Sequence, residues 1–211
     1  MLTSLALLLL AAAPPEAAAD RAMSRVYDFD FRGAYALLDE HHRAEPADPL
    51  GFAIRGAAHL FEEFARLGVL EMEFFADDET VTDKKRLKPD PAARARLYAA
   101  TTEARRLARV RLDRNAADRE ALFALNMAAG VETEYTILVE KRYLRSYSLS
   151  KESQSYARRL IAMNPPVWDA YLTLGSVEYI VANLNPLFRW FVRFEQIEGS
   201  RERAQANLER S

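Results

Sequence analysis

Hydrophobic residues in the first part of the chain recur at intervals of three and four, the period of an amphipathic α-helix. Phe31, Ala34, Tyr35 and Leu38 follow this spacing, and Pro46 comes shortly afterwards. Proline cannot continue a helix, because it lacks an N–H group and its ring clashes with the preceding turn. We therefore predict a helix that contains these four residues and ends before Pro46.

A second hydrophobic stripe begins directly after Asp48-Pro49. Aspartate is a favoured N-cap residue, and proline is well suited to the first helical position. The pattern predicts a helix from Pro49 to about Phe75. Its apolar face is formed by Leu50, Ile54, Ala57, Phe61, Phe64 and Gly68.

The middle of the chain alternates polar segments with helical patterns. Residues 77–91 are poor in apolar side chains, which predicts an exposed loop. The elements predicted after it are a helix over 91–114, a corner at 115–118, and two helices over 119–143 and 147–164.

A double proline at Pro165-Pro166 predicts a sharp corner followed by a new helix. From Val167 to Val181 apolar residues cover most of the helical circumference, and Trp168 contributes to a second apolar face. A helix that is apolar on nearly all sides is usually buried. We therefore predict that this helix is central in the fold.

The residues around this corner resemble the tetratricopeptide repeat (TPR) family. The resemblance rests on Tyr171-x-x-Leu174-Gly175, which follows Pro165. In that family the small residue allows the two helices of one repeat to pack closely, and the resemblance assigns this role to Gly175. Weaker matches earlier in the chain assign structural repeat positions to Ala34, Leu38, Pro46 and Gly56.

The spacing of the repeat-like residues predicts degenerate and elongated repeats. Phe52, Leu122 and Tyr171 lie 70 and 49 residues apart, whereas a regular TPR array repeats about every 34 residues. We predict an all-α fold, a TPR-like solenoid of helical hairpins that occupies residues 20–211. The scarcity of glycine, with 7 in the chain, also favours helix.

The N-terminus has the pattern of a secretion signal over residues 1–19. An apolar run from Leu5 to Ala13 is followed by prolines and then by Ala17-Ala18-Ala19, which supplies small residues for cleavage before Asp20. The apolar run is too short for a stable membrane anchor. The sequence thus predicts an exported protein, periplasmic or secreted.

The charge balance argues against nucleic acid as a partner. The formal net charge is −2, so there is no global positive field. Arg94, Arg96, Arg106 and Arg111 would spread around most of a helix instead of forming one stripe. We expect them, like the Lys84-Lys85-Arg86 run, to lie on solvated faces.

Candidate catalytic chemistry is sparse. The three histidines are His41, His42 and His59, and adjacent histidines on a helix point about 100° apart. We expect packed or solvated histidines, no metal and no cofactor. The chain has no cysteine, which excludes thiolate ligands and nucleophiles. The acidic residues between positions 62 and 78 could supply a carboxylate pair, but we expect a solvated face there.

The segment 187–194 combines aromatic residues with two arginines one turn apart. It suits the interface of a membrane, where tryptophan and arginine are favourable, although it is too short to span one. It could instead cover the end of the helical stack. The candidate interaction residues are Phe188, Arg189, Trp190, Phe191, Arg193 and Phe194.

Three functions follow from these patterns. The TPR resemblance implies a protein–protein interaction or scaffolding module without catalysis, whose partner is a protein or peptide. The first alternative is an envelope or transporter-associated component with peripheral membrane contact through residues 187–194. The second is an enzyme or ligand-binding helical protein that uses the carboxylates near residues 62–78.

Overall fold

The computed structural model describes residues 18–70, 87–175, 205–207 and 209. Every regular element within them is helical and none is a strand, so the prediction of an all-α fold is confirmed. The elements are α1 (Ala18–Tyr27), α2 (Phe31–Ala44), α3 (Pro49–Leu67), α4 (Pro91–Arg114), α5 (Arg119–Glu134), a π-helical turn (Tyr135–Val139) and α6 (Tyr143–Ile161). Residues 170–175 and 205–207 are also helical.

Local side-chain chemistry sets three of the helix starts. Asp48 accepts hydrogen bonds from the N–H groups of Leu50 and Gly51 at the start of α3. Asp90 caps α4 in the same way, with Pro91 at the first position, and Asp118 caps α5. The predicted starts of these helices are therefore confirmed.

The predicted end of α3 near Phe75 is wrong. Gly68 adopts the left-handed conformation with φ 70°, and Val69 N–H donates to the carbonyl of Phe64 at 2.9 Å. This arrangement closes the last turn and ends the helix at Leu67. The glycine that the sequence pattern placed on the apolar stripe is instead the C-terminal cap.

The junction between α5 and α6 also differs from the prediction. The helix after Arg119 changes to a π-helical turn at Tyr135, and the chain then reverses at Lys141, which has φ 54°. As a result α6 begins at Tyr143, earlier than predicted, and ends at Ile161.

Consecutive helices pack against each other: the most extensive contacts join α5 with α6 and α3 with α4, followed by α4 with α5 and α1 with α2. In addition α3 contacts α1, α2 and α5, so it is the central helix of the described part. Its apolar side enters four core clusters, and most of its core residues are at most a few per cent exposed. These residues are Ala53, Ile54, Ala57, Ala58, Leu60 and Phe64.

Gly56 allows α3 and α4 to approach closely. A Cβ atom at this position would lie 2.8 Å from Cγ2 of Thr101 on α4, which is closer than real Cβ contacts. Ala34 and Leu38, the other repeat-like positions on helices in this half, are fully buried. Pro46 is exposed in the turn between α2 and α3.

The corner after α6 is confirmed, but the predicted burial of the following helix is wrong within the described residues. The helix resumes at residue 170, and Trp168 and Leu172 are 54% and 49% exposed. Only one side is packed: Ala170 joins the core with Leu122 and Leu160. Among the repeat-like positions here, Gly175 is buried, Tyr171 and Leu174 are half-buried, and Pro165 is exposed.

Several sequence predictions lie outside the described residues. They concern residues 1–17 of the predicted signal, most of the polar loop 77–91, and the interaction segment 187–194. The predicted cleavage position before Asp20 falls inside α1. Within residues 18–70 and 87–175, no helix combines the length and hydrophobicity that crossing a membrane requires.

Candidate binding groove

A groove of about 680 Å³ lies above α3, between walls formed by α2 and α4. We call it the α3 groove. α3 forms its floor, four residues of α4 form one wall, and Tyr35 is the lining residue contributed by α2. The lining residues are Tyr35, Phe52, Arg55, His59, Glu62, Arg96, Ala99, Ala100 and Glu103.

The floor is a stripe of residues on one side of α3. Phe52, Arg55, His59 and Glu62 are separated by three, four and three positions, so they lie on one face of the helix. The opposite side of α3 carries its core residues. Because that side is fixed by packing, the stripe is held toward the groove.

A hydrogen-bonded trio joins α2 to this floor. The hydroxyl of Tyr35 donates to Oε2 of Glu62 at 2.7 Å and lies 2.8 Å from Nδ1 of His59. Since the hydroxyl proton is directed at Glu62, the oxygen accepts from His59 Nδ1–H. The tyrosine ring also packs against the imidazole, with centroids 4.9 Å apart.

Burial and the nearby arginines hold His59 in its neutral form. Burial lowers the pKa of His59 to about 4, and the positive charges of Arg96 and Arg55 act in the same direction. Burial also raises the pKa of Tyr35, and its hydrogen bond to Glu62 adds to this effect. The trio therefore keeps a neutral imidazole and a protonated phenol at neutral pH.

Phe52 and Arg55 form the end of the floor that lies nearer the N-terminus of α3. Arg55 forms an ion pair with Asp39 on α2 and donates to Nδ1 of His42 at 3.3 Å. The ring of His42 stacks on Phe52, with centroids 4.0 Å apart. These contacts fix the orientation of the aromatic and guanidinium groups that face the groove.

The α4 wall carries one acidic and one basic residue. Glu103 accepts two hydrogen bonds from Arg106, at 2.6 and 2.8 Å. Arg96 lies 3.9 Å from Asp90, beyond hydrogen-bonding distance. Asp90 is already engaged by the backbone N–H of Ala92. Among the charged residues that line the groove, Arg96 has the longest distance to its nearest described partner.

The groove presents both polar and apolar groups. Tyr35 and Phe52 provide ring surface and Ala99 a small apolar surface, while Arg96 offers donors and Glu62 offers acceptor atoms. No group of three or more histidine or acidic side chains in the described residues could hold a metal ion.

Two charged clusters outside the groove are buried, contrary to the solvated faces expected from the sequence. Glu63 is 2% exposed and accepts hydrogen bonds from Arg66 and from the N–H of Asp90. Arg105, one of the α4 arginines, is 9% exposed and pairs with Glu132 on α5. These clusters connect helices and lie away from the groove lining.

The sequence analysis expected packed or solvated histidines, and all three make packing or hydrogen-bonding contacts. His41 forms a 2.7 Å contact with the Asp48 cap, His42 stacks on Phe52, and His59 joins the trio. Glu62, expected on a solvated face, is a half-exposed partner of Tyr35.

The sequence analysis did not identify the groove as a site. Its repeat-like positions are mainly packing residues. The signal that could have revealed the groove was the stripe of Phe52, Arg55, His59 and Glu62, which runs beside the apolar stripe of the same helix.

Comparison with family models, with curated proteins and with solved structures finds no significant match. The fold and the site together define a class in general terms only. The described part of the chain is all-helical, its consecutive helices pack against each other, and its central helix forms the floor of a groove of mixed polarity.

Proposed function

We propose that this chain is a TPR-like helical-repeat module that binds an extended segment of a protein partner in the α3 groove, without catalysis. The observation that carries this proposal is the lining of the groove. One stripe of aromatic and charged residues on α3 lies between the walls of two neighbouring helices. Helical-repeat proteins use surfaces built from successive helices to bind peptides.

The hydrogen bonds that already engage the lining residues support a binding function over a catalytic one. Glu62 is engaged by Tyr35, and Glu103 by Arg106. A pKa of about 4 makes His59 a weak base at neutral pH. These groups line the groove and are positioned to contact a ligand.

The pairing of consecutive helices supports the TPR-like part of the proposal. Gly56 occupies a close helix–helix contact, which is the role of the small residue in a TPR hairpin. The location of the protein is proposed from residues 1–19 alone: their pattern favours export to the periplasm or the exterior.

A groove-blocking variant tests the proposed function. Ala99 is an exposed lining residue of α4, so Ala99→Trp fills the groove without disturbing the core. We expect the full chain to bind a subset of an array of random peptides of about ten residues, which span about 33 Å when extended. The Ala99→Trp variant should lose this binding.

The matched control is Ser155→Trp, which places the same side chain at an exposed position of α6. It should bind the array as the natural chain does. Equal binding by the natural chain and the Ala99→Trp variant would move the site elsewhere, and the absence of any bound peptide would reject the peptide-binding function.

A further inference from the structure

The charges that line the α3 groove are not equally engaged. Glu62 accepts from Tyr35 at 2.7 Å, Glu103 accepts from Arg106, and Arg55 is paired with Asp39. Arg96 has only the 3.9 Å approach of Asp90 among the described contacts. Its side chain is 51% exposed, so a ligand can reach the guanidinium group.

The charges around Arg96 are of both signs, so the place for an anion is Arg96 itself. Arg55 and Arg96 act on His59 and Tyr35 through their positive charge, and the carboxylate of Glu62 acts in the opposite direction. His59 adds no charge of its own, and Glu62 has its carboxylate directed at the tyrosine hydroxyl. The exposed guanidinium group of Arg96, whose described partner lies 3.9 Å away, is therefore the group available to a carboxylate.

Apolar groups lie beside this positive charge. Ala99 and Ala100 follow Arg96 along the α4 wall, and the ring of Tyr35 belongs to the opposite wall. Adjacent side chains of an extended peptide point to opposite faces of its backbone. A peptide lying along α4 can therefore direct one side chain to the apolar surface between Ala99 and Tyr35 and the next to Arg96 at the rim.

We propose that the α3 groove selects peptides in which an acidic side chain lies directly next to an apolar one, with the carboxylate bound by Arg96. This inference rests on the proposed peptide-binding function and specifies its ligand. A carboxylate accepts two parallel hydrogen bonds from a guanidinium group, which gives both affinity and orientation.

Matched peptides provide the test. The probes are the array peptides that bind best, each synthesised with its Asp or Glu, with the corresponding Asn or Gln, and separately with an amidated C-terminus. We expect the acid-to-amide change to weaken binding about tenfold, the effect of losing a charge-assisted hydrogen bond at a half-exposed site. Amidation of the C-terminus should have no comparable effect.

The Arg96→Gln variant completes the test. It should bind the acidic and amide peptides equally, at the affinity that the natural chain has for the amide peptides, and Arg96→Lys should restore part of the preference. Arg145→Gln on α6 is the matched control, because Arg145 is an exposed arginine outside the groove lining. It should keep the full preference.

Binding should also change the titration of His59. An anion next to Arg96 offsets its positive charge, so the acidic peptide should raise the pKa of His59 in NMR titrations, while the amide peptide should leave it nearly unchanged. Peptides that bind with no preference for acid would overturn this inference and leave the proposed function intact. A dependence on the C-terminal carboxylate would assign Arg96 to the peptide terminus and also overturn it.

Discussion

At residue 56 the packing of α3 against α4 leaves room only for the hydrogen atom of a glycine. The nearest atom to a Cβ at residue 56 would be Cγ2 of Thr101, and Thr101 is fully buried on α4. We predict that Gly56→Ala lowers the free energy of unfolding by about 1–3 kcal/mol, because the added methyl group forces α3 and α4 apart. Urea denaturation of the natural chain and the variant measures this difference.

Thr101→Ser supplies the matched background for that measurement. It removes the clashing methyl group and keeps the hydroxyl, so Gly56→Ala should cost less in the Thr101→Ser chain. A double-mutant cycle reports the coupling directly. If Gly56→Ala lowers the free energy of unfolding equally in both backgrounds, the contact with Thr101 is not what excludes a side chain at residue 56.

His59 should make the stability of the fold depend on pH. Its pKa is about 4 in the folded chain and about 6.5 in the unfolded chain. The groups that face it are Tyr35 from α2, Arg55 and Glu62 from α3, and Arg96 from α4.

Above pH 6.5 the histidine is neutral in both states and has no effect on stability. As the pH falls from about 6.5 to about 4, the unfolded state binds the proton first, so the folded state loses about 1–3 kcal/mol. We predict that His59→Gln reduces this loss, measured as the urea midpoint at several pH values. Parallel pH profiles for the natural chain and the variant would contradict the assignment.

Local sequence chemistry predicted the starts of α3, α4 and α5, whereas α6 begins at Tyr143, before its predicted start at Tyr147. The Asp-Pro pairs at residues 48 and 90, and the aspartate at 118, act within one turn and need no distant partner. The end of α3 was missed because Gly68 fits the hydrophobic spacing equally well as a stripe residue or as a cap. The left-handed φ that distinguishes these roles is a property of the folded backbone.

Distant partners explain the other differences. Glu63 and Arg105 are buried by groups 27 residues away in the chain, Asp90 and Glu132. Hydrophobic periodicity within one helix cannot identify such partners. The same holds for the α3 groove: its floor stripe is visible in the sequence, but its walls come from α2 and α4, whose positions depend on the whole packing.

At the scale of the element, Arg105 connects α4, α5 and α6. Its guanidinium group bonds both oxygens of Glu132 at 3.1 Å and Oε1 of Glu152 at 2.6 Å. Tyr156 donates to the same oxygen of Glu152. Removing the arginine would leave a buried carboxylate without its counterion, and that is far more costly than losing an exposed ion pair.

We predict that Arg105→Ala lowers the free energy of unfolding by about 3–5 kcal/mol. The adjacent Arg106 is the control: its ion pair with Glu103 is a contact between neighbouring turns on an exposed face. Arg106→Ala should leave the thermal midpoint nearly unchanged. Similar midpoints for the two variants would mean that solvent replaces the Arg105 contacts.

Across the whole molecule, the helices differ in the number of neighbouring helices that they contact. α1 contacts only α2 and α3 to a substantial extent, whereas α3 contacts four helices. In repeat-like folds stability is distributed through neighbouring contacts, and the ends open first.

We predict that amide hydrogen exchange is slowest in α3 and α5 and clearly faster in α1. Exchange measured by mass spectrometry on peptic fragments at neutral pH gives the order. The alternative outcome, one common exchange rate for α1, α3 and α5 under native conditions, would show that the described helices open only as a single unit.

The central position of α3 has a consequence for how this protein changes in evolution. Residues that line the α3 groove alternate on this helix with residues that form the core, for instance His59 with Leu60. A substitution that alters the floor therefore also risks the fold, and selection removes many such changes. The walls are freer to drift, since Arg96 and Ala99 are exposed on α4. Substitutions on the α4 wall should therefore change the lining of the groove at a lower cost in stability than substitutions on its floor.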